Sequence, residues 1–259
     1  MGFLQGLFSD PLVRAVKKAD AQAARMALSK GADPFMPMKI SGVGTRGPVP
    51  AFMAAVLRGN WDLVEAFLEH ECDVASPIQS DSATGVREGT PLHHAIWAVG
   101  IGKAEPDYVR FFIEKGADVN SVGSSDVSQF IDGARPLHLA IECPKAWEVI
   151  EMLLENGADP NAWADDMTTL HVLMGTAHTP SAFGIDDDTP ESEYEKVLIR
   201  AKQIAVLLLK HGADINARLK SCQTPLAYAR SNLPVNRKTG KKDEDTELIK
   251  FLVEQGAAE

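Results

Sequence analysis

The chain is poor in several things, and each shortage excludes something. It has three cysteines, Cys72, Cys143 and Cys222, far apart and in no CxxC pair. That excludes a disulfide framework or a thiolate zinc site, and leaves reduced packing thiols of a reducing compartment as the expectation. Long apolar runs are missing. Stretches such as Ile204 to Leu209 fall far short of the ~20 residues that span a bilayer. The patch Phe3-Leu4-Gln5-Gly6-Leu7-Phe8 has no basic residue before it and is cut short by Asp10, so it lacks the layout of a secretory signal. Cations are in deficit, with Lys plus Arg at 26 against Asp plus Glu at 36, a net charge of -10. Such a balance argues against nucleic acid and against an anionic membrane surface, and it is compatible with a basic protein partner. A hydrophobic share of 45% excludes wholesale disorder. The expectation is a cytoplasmic protein.

Catalytic signatures are also missing. No HExxH, Gly-x-Ser-x-Gly or P-loop occurs. Asp186-Asp187-Asp188 lacks the glycine and terminal glutamate of a calcium loop. Adjacent His93 and His94 suggest a metal pair, but neighbours on a helix point about 100° apart. His70 and His211 precede helix stops, where a cation suits the helix dipole. The expectation is a protein with no catalytic residues, no metal site and no cofactor.

What is present is an internal repeat. One phrase recurs as Gly31-Ala32-Asp33-Pro34, Gly116-Ala117-Asp118-Val119-Asn120, Gly157-Ala158-Asp159-Pro160-Asn161 and Gly212-Ala213-Asp214-Ile215-Asn216, with Gly256-Ala257 at the end and a degraded copy at Glu71-Cys72-Asp73-Val74. Each follows an apolar helical stretch. A second phrase lies upstream: Thr90-Pro91-Leu92-His93, Arg135-Pro136-Leu137-His138, Thr168-Thr169-Leu170-His171 and Thr224-Pro225-Leu226-Ala227. Thr before Pro starts a helix, because the hydroxyl caps an orphan N–H and Pro surrenders no needed donor. Gly after an apolar run stops one. Between start and stop lie two short helices; in the fourth unit the second is expected from Trp147 to Glu155. Neither is stable alone, so such units must stack.

The Thr-Pro-Leu-His phrase paired with the later Gly-Ala-Asp-Val-Asn phrase resembles the ankyrin repeat, from about Asp10 to Gly256. The resemblance implies an all-α solenoid of stacked helix-turn-helix units with projecting β-hairpin-like fingers. It implies one domain over residues 1–259, with units at about 10–33, 49–74, 89–120, 134–161, 167–216 and 223–257. It also implies that His93, His138 and His171 hydrogen-bond the backbone of an adjoining unit. The expected work is binding another protein, as a monomeric scaffold or adaptor. The competing reading is an inhibitor or immunity-type protein whose long fingers block a hydrolase or toxin.

The chain departs from the family in length. Its helix stops, at positions 31, 71, 116, 157, 212 and 256, are all spaced more widely than the family period of about 33 residues. The first three fingers are enlarged equally. The first carries Phe35, Met36, Met38 and Ile40, and the third carries Phe130 and Ile131. Large apolar side chains on projecting loops point to a partner site, the competing reading being that they pack finger against finger. The resemblance places Lys17, Lys18, Leu57, Arg58, Trp97, Ala98, Glu142 and Cys143 on the groove side of the inner helices. Leu57, Arg58 and Trp97 join the candidate site, Trp97 as a hot spot unless a neighbouring loop covers it. Trp61 and Trp147 are expected to pack, while Trp163 stays open. Further insertions fall between helices: Ile101 to Pro106, an acidic stretch from Thr176 to Arg200, and a stretch from Leu233 to Asp245 with Arg237, Lys238, Lys241 and Lys242. Within the acidic stretch, Ser192 to Arg200 is expected to extend an outer helix. The first unit is expected to present a polar end through Lys17, Lys18, Asp20 and Gln22.

Overall fold

Helix starts and stops follow the repeated phrases. The computed structural model describes residues 10–41, 47–70, 72–79, 86–125, 131–178, 191–233, 235–236, 241–242 and 246–258. Phe130, Asp186 to Asp188, Arg237 and Lys238 lie outside the described residues. Asp10 accepts the amides of Leu12 and Val13 at 2.7 and 3.2 Å and starts α1, Pro11–Lys18. Asp20 accepts Ala23 N–H and starts α2, Ala21–Ser29. α3 spans Ala51–Leu57, and Asn60 caps α4, Trp61–Leu68, through the Leu63 amide. α5 covers Pro91–Gly100, α6 Asp107–Glu114 and α7 Pro136–Glu142. Then come α8, Val149–Glu155; α9, Thr169–Ala177; α10, Glu191–Lys210; α11, Pro225–Asn232; and α12, Glu247–Glu254. The Thr224 hydroxyl accepts Ala227 N–H at 3.2 Å, which is the cap the Thr-Pro phrase predicts. The stop glycines Gly31, Gly116, Gly157, Gly212 and Gly256 all stand at φ between 84 and 92.

Two compact units divide the chain, Met1–Val149 and Ile150–Glu259. In the first, the inner helices α1, α3, α5 and α7 pack in sequence, while α2 packs on α4. Every residue of α3 is fully buried, as a helix apolar on all sides requires. Outer helices are tied across by Arg25 to Glu69 at 2.7 Å and Lys115 to Glu65 at 3.0 Å. Tyr108 of α6 donates its buried hydroxyl to the Val56 carbonyl at 3.0 Å, fixing an outer helix to the inner helix of the preceding pair.

The fingers of this unit are hairpins. β1 (Pro37–Met38) pairs with β2 (Val49–Pro50). β3 (Ile78–Gln79), β4 (Val86–Gly89), β5 (Gly123–Ser125) and β6 (Ile131–Ala134) form one antiparallel sheet in the order β3-β4-β5-β6, with irregular register at each β5 pairing. Fingers two and three are thus joined edge to edge through the β4–β5 pairing, a backbone form of the finger-against-finger packing that was the competing expectation.

In the second unit α9 packs on α10 and α11, α10 on α12, and α11 on α12. Its finger, β7 (Trp163–Ala164) with β8 (Met167–Thr168), turns through Asp165 and Asp166 at φ 44 and 68, the two-residue geometry whose twist matches the strands. α10 runs through the expected extension Ser192 to Arg200. β9 (Val235–Asn236) and β10 (Lys241–Lys242) pair as a hairpin. Asn161 accepts the Asp214 amide and donates to the Gly212 carbonyl, both at 2.7 Å, so the end of one repeated phrase grips the start of the next.

The fourth helix pair differs from expectation. A 3-10 turn, Pro144–Ala146, intervenes, and α8 begins at Val149 rather than Trp147. Trp147 instead tucks its indole N–H onto the Ile141 carbonyl at 2.7 Å, satisfying the end of α7.

Candidate protein-interaction surface

The histidines of the start phrase are structural. Thr90 N–H donates to His93 Nδ1 at 3.1 Å, which leaves Nε2 to face the Ala134 carbonyl of the adjoining helix pair at 3.3 Å. His171 repeats this, with Nδ1 against the Thr168 hydroxyl at 2.8 Å and Nε2 against the Gln223 carbonyl at 3.2 Å. Arg135 N–H donates to His138 Nδ1 at 3.4 Å. Burial pulls the His93 pKa down to about 4 and lowers that of His171. His94, entirely buried, is pulled down to about 3 by burial and by neighbouring His93; its Nε2 meets the Ile78 carbonyl at 3.4 Å. Burial also raises the Cys143 thiol and the Tyr108 phenol above their ordinary values.

These contacts reveal what the long fingers do. Finger two reaches an inner helix through Ile78, which is 3% exposed. Finger three comes so close that a Cβ on Gly123 would lie 2.7 Å from the Glu88 carbonyl oxygen and 2.9 Å from His93 Nε2. β1 lies against α3. The enlarged fingers therefore rest on the inner helices of their own unit.

Two candidate residues are corrected on this ground. Met38 is 2% exposed, because strand alternation turns Pro37 outward and Met38 onto α3. Leu57 is fully buried, since α3 is enclosed by α1, α5 and the finger. Neither offers surface to a partner. Glu142 and Cys143 are buried as well. Phe35 stays exposed at 46%, and Met36, Ile40, Arg58 and Trp97 are half-buried. Ile131 belongs to β6, and only its backbone is described. Val122 on finger three and Trp163 on the short finger are exposed at 59% and 45%, and sequence reasoning missed the first. Trp61 packs against Tyr108 and Phe111 at 5.8 and 5.5 Å yet keeps 43% of its surface. Cys222 is exposed, not a packing thiol; it closes a tight turn at φ 65. Lys17, Lys18, Asp20 and Gln22 of the first helix pair are exposed, as expected of a polar end, and Met26 adds an apolar side chain, 54% exposed, in a groove shared with Ala23, Ala27, Arg14 and Lys18.

Among the described residues, no group of three or more His, Cys, Asp or Glu side chains could hold a metal ion, and no helix is long and apolar enough to cross a membrane. The family description "Ankyrin repeats (3 copies)" matches residues 12–123, and "Ankyrin repeat" matches residues 132–165. Alpha-latrocrustotoxin-Lt1a of Latrodectus tredecimguttatus is 30% identical over 140 residues, which is 54% of this chain. The chain spans 8% of the length of that toxin. With its start phrases, its stop glycines and its paired short helices in place, the chain belongs to the ankyrin repeat family, an all-α solenoid class whose repeats serve as protein-protein interaction modules.

Proposed function

We propose that this chain is a non-catalytic adaptor that binds a protein partner through the outer surfaces of its long fingers and through the inner-helix ends at Arg58 and Trp97. The observation that carries the reading is Phe35. The finger that turns Met38 inward leaves a phenyl ring 46% exposed on its rim. A large stiff ring held outside a well-packed body suits burial by a partner. Val122, 59% exposed on finger three, supports the same reading. The chain acts as a monomer in the cytoplasm on this account, and the similar toxin supplies no partner for it.

The test is capture with the purified full chain as bait, followed by calorimetry with the purified partner. Phe35→Ala combined with Met36→Ala is expected to weaken binding at least tenfold, roughly the 1.4 kcal/mol of one lost anchor, while melting is unchanged. Undiminished binding by that variant overturns the placement. If the captured protein is a hydrolase or toxin that loses activity in proportion to added chain, the inhibitor role replaces the adaptor role.

A further inference from the structure

One side of the first helix pair is an open groove. α1 buries Leu12, Val13 and Val16 and packs on α3, while α2 packs on α4. The groove is lined from α1 by Pro11, Arg14, Ala15 and Lys18, and from α2 by Ala23, Met26, Ala27 and Lys30, the residue that ends the helix. Both sets follow the spacing i, i+3, i+4, i+7, so each is one face of its helix. Ala15 and Ala27 are buried and make the floor, whereas Met26 stands 54% exposed above it. The space between them holds about 740 Å³, within the ~300–1,000 Å³ that ligand sites span.

The charge here is opposite to that of the chain. Residues 10–33 carry five cations, Arg14, Lys17, Lys18, Arg25 and Lys30, against three anions, Asp10, Asp20 and Asp33, in a chain of net charge -10. Arg14, Lys18 and Lys30 line the groove and are exposed, and among the described residues none of the three forms an ion pair. The anions are held by their own turns. Asp10 accepts the amides of Leu12 and Val13, Asp20 that of Ala23, and Asp33 that of Phe35 at 2.9 Å. Of these three, Asp20 lines the groove, beside Gln22. Arg25 is engaged elsewhere, with Glu69 at the end of α4.

We propose that this groove binds an acidic amphipathic helix of a protein partner, with its apolar side chains seated over Met26 and the alanine floor and its carboxylates set against Arg14, Lys18 and Lys30. The lining residues are other than Phe35, Met36 and Val122 of the finger surface, so an adaptor gains a second docking place, and the proposal stands whether or not the finger reading does. The apolar face of a helix fits between two helices as ridges fit a groove, and small alanines let it come close. An extended strand would leave its backbone groups unpaired there, because the lining helices spend theirs internally. A basic helix would meet three cations and one carboxylate. Anionic lipid would suit the cations, but a concave groove with one large exposed apolar side chain has little to insert, and the net charge of -10 opposes approach to such a surface.

The test titrates the full chain, labelled with ¹³C-methyl methionine, with a helix-forming peptide of about 14 residues, an ordinary helix length. The peptide carries leucine along one face and glutamate elsewhere. A second peptide has lysine in place of glutamate, and a third has alanine in place of leucine. The probe is the Met26 methyl resonance, assigned from Met26→Glu. The glutamate–leucine peptide is expected to shift it saturably, at about tenfold or greater affinity over either counterpart. By fluorescence anisotropy of the labelled peptide, Met26→Glu is expected to abolish binding, and Arg14→Gln combined with Lys30→Gln to weaken it about tenfold, both with unchanged melting. Phe35→Ala combined with Met36→Ala is expected to leave peptide binding intact, which separates this site from the fingers. Equal binding of the glutamate and lysine peptides, no binding, or binding that survives Met26→Glu overturns the proposal. Binding that appears only once residues 1–9 are removed also overturns it, in favour of the chain's own Phe3, Leu4, Leu7 and Phe8 as occupant. A dimer of the chain that Met26→Glu dissociates overturns it in favour of a second copy.

Discussion

The two compact units use the same repeated phrases and finish their inner surfaces differently. In Met1–Val149 the long fingers fold onto their own helices: α3 is enclosed, His94 meets the Ile78 carbonyl, and Gly123 has no room for a Cβ against His93. In Ile150–Glu259 the finger is a two-residue turn, and Gly175, Thr176, Ala227 and Tyr228 of the inner helices remain half-exposed. Cohesion there comes from asparagines that bridge successive helix stops and from the twenty-residue α10. The long fingers thus add cover to α3 and to the start of α5, while late-helix positions such as Trp97 and Gly175 stay half-exposed in both units. Where fingers are long, solvent still reaches the finger rims and the late turns of the inner helices, as at Phe35, Arg58 and Trp97.

Acid should separate the units most. His93 and His94 bind protons only near pH 4 and 3 in the folded chain, against an ordinary 6.5. Below pH 6.5 the unfolded chain holds more protons, so stability present above that value is lost as pH falls towards 4 and then 3. Each histidine contributes up to about 1.4 kcal/mol per pH unit in its window. In hydrogen exchange, amides of α5 should lose protection between pH 6.5 and 4 faster than those of α9, although His171 and His178 are shifted downward too. His94→Leu should flatten the slope. An unchanged slope in that variant would show that His94 is not the group being charged.

A matched pair of glycines sharpens the same contrast. Gly59→Ala places a methyl against the Lys103 carbonyl at a left-handed φ of 64. Strain of about 1–2 kcal/mol for the backbone and about 1–3 for overpacking gives an expected loss near 3 kcal/mol by urea unfolding. Gly175→Ala, mid-helix in α9 and 3.4 Å from the Tyr228 ring, meets only a side chain that can shift. Its gain in helix propensity, up to about 1 kcal/mol, should leave that unit unchanged or firmer. A comparable loss at both sites would mean that the first unit's insertion is not tightly seated.

Local chemistry was legible in the sequence, and long-range placement was not. The stop glycines answer to a backbone demand at their own helix end, so their role could be read directly; the cross-unit bonds of His93 and His171, whose acceptors Ala134 and Gln223 lie far along the chain, were legible only through the ankyrin resemblance. Met38 and Leu57 were read as surface because nothing local tells a finger that projects from one that folds back. The α10 extension over Ser192 to Arg200 agrees with expectation, whereas the start of α8 does not, because Trp147 finds its acceptor outside its own helix. Cys222 looked like the other cysteines until the turn around it placed it outside. Asn161 was in view within the repeated phrase, but its partners Gly212 and Asp214 lie in the following phrase, so only the fold discloses the grip.

That grip gives the smallest and sharpest comparison within one unit. Asn161 makes two short bonds, while Asn216 accepts the Ala258 amide at 2.7 Å but reaches the Gly256 carbonyl only at 3.5 Å. Net hydrogen bonds of this kind contribute about 0.5–1.5 kcal/mol each. Asn161→Ala should therefore cost about 1–2 kcal/mol, and Asn216→Ala about half as much. Asn161→Asp keeps an acceptor for the Asp214 amide but sets a carboxylate against the Gly212 carbonyl, so it should rescue little. Exchange of the Asp214 amide reads the effect directly: it should quicken in Asn161→Ala and stay slow in Asn216→Ala. Equal costs at the two sites would mean that the donated bond adds nothing and that the accepted amide alone holds successive helix stops together.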